Sequence, residues 1–130
     1  MPVVAGFVPT PEGRAALDSA IAEATRRNTS LVVVAHERRG TDSATLADAV
    51  AEAESTLSGT TLEHEVRQSG PGSDVAEDLM RVADELDAEL IVIGLRRRSP
   101  VGKLILGSNA QRVLLDATCP VLAVKPARPV

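Results

Sequence analysis

A doubly wound α/β fold, with five parallel strands and four helices, is what this sequence predicts, on three observations. Several apolar runs are continuous rather than alternating, as strands covered on both faces of a sheet require: Val3–Val8, Leu31–Ala35, Leu90–Ile93 and Pro120–Val124. Between them lie segments whose apolar residues recur at helical spacing. Strand and helix patterns alternate along the chain, the mark of parallel strands joined by crossover helices. The 130 residues fit one domain, 1–130, with one buried core.

Pro9-Thr10-Pro11 stops the first strand and starts a helix. Thr10 is a natural N-cap, Pro11 suits the first helical position, and Glu12 favours the positive end of the helix dipole. Ala16, Leu17, Ala20, Ile21 and Ala24 form its apolar face, and Arg26-Arg27 its cationic end. The second strand, Leu31–Ala35, carries His36 at its C-terminal end. Asp42 or Ser43 is read as the cap of a second helix, with Leu46, Ala47, Val50, Ala53 and Leu57 inward.

The third strand, Thr61 to Arg67, alternates, with Leu62, His64 and Val66 on one side. Alternation with charges opposite marks a half-exposed strand at a sheet edge. A third helix follows Ser69-Gly70-Pro71-Gly72, with Val75, Leu79, Val82, Ala83 and Leu86 inward. Ser108 and Gln111 have the spacing of a capping box for the last helix, whose Ala110, Val113, Leu114 and Ala117 face the core. The tail from Pro126 reads as loose.

Composition narrows the function. Phe7 is the sole aromatic residue, which disfavours single-stranded nucleic acid, whose bases stack on rings. The net charge of −4 disfavours general nucleic-acid binding. No run reaches the roughly 18 apolar residues of a membrane span, and the N-terminus lacks a secretory pattern. With Cys119 as the one cysteine no internal disulfide forms, and a cytoplasmic location is expected. Charge is also asymmetric: from Gly94 onward seven basic residues against one acidic give +6, while residues 1–93 carry −10.

That basic portion opens with a long loop, Gly94 to Ser108, after the fourth strand. Long strand-to-helix loops are uncommon in compact domains and usually bind something. Its glycines, Arg96-Arg97-Arg98, Lys103 and the helix start behind it point to an anion. In open α/β sheets ligands sit beyond the carboxyl ends of the strands, which brings Val8 and His36 into the same candidate site. A phosphoacceptor site lacks its carboxylates after Val8, and a flavin site its rings. Gly102-Lys103-Leu104 fails the P-loop pattern, and no dinucleotide fingerprint follows the first strand. His64 has no second ligand at metal spacing, so no metal site is expected. Neither histidine has a nucleophile partner, so no catalytic residue is expected.

Lys103-Leu104-Ile105-Leu106-Gly107-Ser108, then Ala110-Gln111-Arg112-Val113-Leu114 and Cys119-Pro120-Val121-Leu122-Ala123-Val124, resemble the C-terminal signature of the universal stress protein family. The opening from Val3 to Leu17 resembles that family's first strand and helix. The resemblance implies strand order 3-2-1-4-5 and a homodimer paired through the fifth strand. It implies ATP or AMP held by Gly-x-x-Gly, nine residues, then Gly-Ser/Thr. Gly94, Gly107 and Ser108 match that motif. Arg97 replaces its second glycine, and Val8 stands where nucleotide-binding members place an aspartate. Arg96, Arg97, Arg98 and Lys103 are expected to reach phosphates by side chain, with Gly102 and Asn109 completing the loop and Val8 and His36 lining the nucleoside. The expected role is a stress-response regulator with slow ATP hydrolysis at most. The alternative is a homodimeric interaction module that binds no nucleotide.

Overall fold

The computed structural model describes residues 1–37, 45–70, 74–96 and 106–126. Five strands, β1 (Val3–Phe7), β2 (Leu31–Ala35), β3 (His64–Gln68), β4 (Leu90–Gly94) and β5 (Val121–Val124), form one parallel sheet in the order β3-β2-β1-β4-β5. Helices α1 (Pro11–Arg27), α2 (Leu46–Ser58), α3 (Val75–Leu86) and α4 (Ser108–Asp116) connect them.

The period of two along each strand divides the apolar residues between two layers. Val3, Ala5, Phe7, Leu31, Val33, Leu90 and Val92 face α1 and α2, meeting Leu17, Ala20, Ala53 and Leu57. Val4, Val32, Val34, Ile91 and Ile93 face the other way, against Leu79, Val82 and Ala83 of α3 and Val113 of α4. Alanines make up much of the buried helix faces, and Phe7 is the one aromatic hydrocarbon ring in the core.

Several local expectations need correction. β1 ends at Phe7, because the Val8 carbonyl turns away to accept the Thr10 N–H at 2.8 Å. α2 is capped by Thr45, not Asp42 or Ser43, which lie outside the described residues. Thr45 Oγ1 accepts the Asp48 N–H at 3.1 Å and Asp48 accepts the Thr45 N–H at 3.2 Å, a complete capping box. Ala47 is exposed and Ala49 occupies the core position instead. β3 begins at His64, whose ring is exposed with Nδ1 2.8 Å from the Leu62 carbonyl oxygen.

At α4 the predicted box is not formed. Gly107 is the N-cap, with no side-chain cap bond, and Ser108 is already helical because the Gln111 N–H reaches the Gly107 carbonyl at 3.0 Å. Leu114 is exposed rather than inward, and Val113 is the one fully buried residue of this helix. Pro126 is buried, and the tail beyond it lies outside the described residues.

Candidate functional site

The sheet itself opens the site. β1 pairs with β2 along its whole length, from Val3–Leu31 to Phe7–Ala35, but with β4 only from Val3–Leu90 to Ala5–Val92. Beyond Ala5 the two central strands part, at the point where strand order reverses. A cavity of about 130 Å³ lies there, where open α/β sheets bind ligands.

Gly6, Phe7 and Val8 from the end of β1 form one wall, and Ile93 and Gly94 from β4 the other. Val75 and Leu79 of α3 and Asn109, Ala110 and Val113 of α4 close it, with His36 beyond β2. The surface is predominantly apolar; Glu12, His36 and Asn109 supply the polar side chains. An apolar cleft with a few placed polar groups is the usual form of a small-molecule site.

Two glycines press the first turn of α1 against the strand ends. A β-carbon on Gly13 would stand 1.9 Å from the Val8 carbonyl oxygen. One on Gly94 would stand 2.4 Å from the carbonyl oxygen of Glu12. Thr10 is buried beneath this turn and caps it by accepting the Gly13 N–H at 3.0 Å. Glu12 therefore lies at the cavity margin, with Arg96 Nε 3.9 Å from its carboxylate.

The mouth is lined on its other side by the start of α4. Gly107, Ser108 and Asn109 are exposed, α4 has no acidic residue in its first turn, and its N-cap, Gly107, makes no side-chain cap bond. Amide groups left without an intrahelical partner and the positive dipole end together favour an anion. A β-carbon on Gly107 would meet nothing within 4 Å, so packing does not demand glycine there.

α4 is anchored to α3 by charge. Arg112 bonds Asp74, which caps α3, and lies 3.3 Å from Glu77. The Thr118 hydroxyl also donates to Asp84 at 2.7 Å.

His36 is 4% exposed, and neither ring nitrogen has a hydrogen-bond partner among the described residues. Burial pushes its pKa down to about 4, against the opposing pull of Asp78, so the ring is neutral at pH 7. Asp78 is itself engaged, accepting from the Ser69 hydroxyl and lying 3.3 Å from Arg81.

A sequence model of the universal stress protein family matches residues 1–125. The chain belongs to the universal stress protein family. A universal stress protein of Mycolicibacterium smegmatis is 44% identical over 134 residues, spanning 95% of this chain and 97% of its own. Among solved structures, a universal stress protein from Archaeoglobus fulgidus superposes with a TM-score of 0.78 at 34% identity, covering 96% and 98% of the two chains. A universal stress protein from the same organism in complex with dAMP gives 0.74 at 28% identity, with the same coverage.

Of the residues read from the sequence, the cavity brings together Val8, His36, Gly94 and Asn109, with Arg96 beside Glu12; Gly107 and Ser108 precede Asn109 in the chain and do not line the cavity. Arg97, Arg98, Gly102 and Lys103 lie outside the described residues. Glu12 and Gly13 also line the cavity, a position the sequence reading does not assign to them. A glycine at the third position of an otherwise sound helix was the available signal, since glycine there weakens a helix unless something packs against it. Cys119 is partly buried, and burial raises its thiol pKa, which suits a packing residue. Among the described residues no group of three metal-binding side chains occurs, and no helix is long and apolar enough to cross a membrane.

Proposed function

We propose that this universal stress protein binds an adenine nucleotide, AMP or ATP. The base enters the cavity between β1 and β4, and the phosphates rest on the N-terminus of α4 at Gly107, Ser108 and Asn109. The observation carrying this reading is the pairing of an apolar cleft with a helix start whose N-cap is an exposed glycine. The dAMP complex of the Archaeoglobus fulgidus relative supports it. Arg96 adds positive charge at the mouth, and its neighbour Glu12 subtracts from it. The phosphate contacts are therefore led by backbone amides, with side chains of the basic loop assisting.

The biological role in this reading is that of a cytoplasmic stress-response regulator, in which nucleotide occupancy changes a surface presented to a second copy or a partner. A second reading, a homodimeric interaction module without nucleotide, is favoured by Val8 at the end of β1 and Arg97 in the loop, two departures from the nucleotide-binding pattern.

The two separate in a spectrum. The chain has no Trp or Tyr, so co-purified adenine dominates its absorbance near 260 nm. Nucleotide binding predicts that band, or calorimetric heat when AMP or ATP is added to protein stripped by refolding. A flat spectrum with no heat from either nucleotide leaves the interaction module.

A further inference from the structure

We propose that Arg112 is a positioning residue for the nucleotide: its ion pairs with Asp74 and Glu77 clasp α4 to α3 and hold the α4 N-terminus in register with the cavity. The inference rests on the nucleotide reading above and adds the side chain that fixes the phosphate end of the site.

The clasp sits directly behind one wall of the cavity. Arg112 Nη1 donates to one carboxylate oxygen of Asp74, and Nη2 lies 3.3 Å from Glu77. The other oxygen of Asp74 accepts the Glu77 N–H at 3.2 Å and so caps α3. One carboxylate therefore starts α3 and receives α4. Each partner also precedes a residue that lines the cavity, Asp74 before Val75 and Arg112 before Val113. A single bridge thus spans the two helices that supply this wall.

Few other contacts fix α4 near the cavity. The helix has nine residues, Val113 is its one fully buried residue, and its N-cap makes no side-chain bond. The Thr118 bond to Asp84 lies past the far end of the helix. So small an apolar contact leaves the tilt of a helix weakly determined, whereas the planar fork of an arginine, engaged at two nitrogens, sets a direction. Arg112 stands one turn along α4 from Ser108. A helix terminus attracts an anion only within its first turn, so the tilt of α4 decides whether its amides meet a phosphate. Exposed ion pairs contribute little to stability, and here the contribution is to geometry.

The test uses Arg112→Met, which keeps the aliphatic stem and removes the guanidinium. Asp74→Asn keeps an oxygen to cap α3 and removes the charge. Both variants are expected to fold, with urea midpoints near that of the wild type. Arg112→Met is expected to bind AMP about fivefold more weakly by calorimetry, and Asp74→Asn to lose affinity in the same direction. Arg112→Lys recovers part of the loss. Adenosine, which has no phosphate, binds wild type and variants alike in an NMR titration. AMP affinity unchanged in Arg112→Met overturns this inference alone. So does an equal loss for AMP and adenosine, which would give Arg112 a merely structural role. Failure of the wild-type chain to bind AMP overturns the nucleotide reading and this inference with it.

Discussion

The space for a side chain at Gly94 is taken by Glu12: a β-carbon there would stand 2.4 Å from the Glu12 carbonyl oxygen and 3.2 Å from Glu12 Cβ. The end of β4 and the first turn of α1 are thus in backbone contact at the cavity margin. Gly107, at the other end of the same loop, has open space around it and an ordinary extended backbone, φ −69° and ψ 165°.

The two glycines therefore respond differently to substitution. Gly94→Ala forces α1 away from β4 and destabilises the fold by about 2 kcal/mol in urea unfolding, in the range of overpacked cores. Gly107→Val changes stability by no more than about 1 kcal/mol, the scale of an N-cap substitution, but covers the amides of α4 and abolishes AMP binding. Intact AMP affinity in folded Gly107→Val would place the phosphates elsewhere.

Stability falls with acid because of His36. Its folded pKa, about 4, lies below the ordinary 6.5. Above pH 6.5 both folded and unfolded states carry the ring neutral, and its contribution is fully present. Between pH 6.5 and 4 the unfolded chain takes up a proton that the fold refuses, so stability drops by up to about 3 kcal/mol across that window. Urea midpoints at pH 7, 5.5 and 4.5 record the decline, and His36→Phe removes this share of it. Equal slopes in the two proteins would show that other groups cause the acid loss.

Self-association through β5 is the third expectation. β5 is an edge strand whose four residues are all partly exposed, so its outer backbone groups are open to pairing with a second copy. Sedimentation equilibrium is expected to give a two-chain mass. A one-chain mass at every concentration overturns the pairing.

The fold was legible because its strands are written as continuous apolar runs and α1 as Thr10-Pro11-Glu12, signals that depend on local chemistry alone. Helix starts that hinge on one residue's backbone were not. Asp42, Ser43 and Thr45 are all competent caps within four positions, and Thr45 alone stands three residues before Asp48 in the box that forms. Ser108 and Gln111 have the right spacing for a box, but the helix starts one residue earlier, at the carbonyl of Gly107. Within the candidate site, the rule of strand ends led to Val8, His36 and Gly94. Glu12, Gly13, Val75 and Leu79 stayed hidden because their approach is set by how α1 and α3 lie on the sheet. The resemblance gives Gly94 a place in the phosphate motif, and the fold gives it a packing reason of its own, because a side chain there would meet the first turn of α1.

α4 spans nine residues, roughly 13 Å of helix, with Asn109 at the cavity and Leu115, 83% exposed, near its far end. Its single fully buried residue, Val113, lies between them, and the Arg112 ion pairs tie the same turn to α3. The Thr118 hydroxyl on Asp84 holds the chain again just past the helix end. The same nine residues therefore set one polar side chain, Asn109, at the cavity and one apolar side chain, Leu115, on the outer surface, in a spacing fixed by the helix.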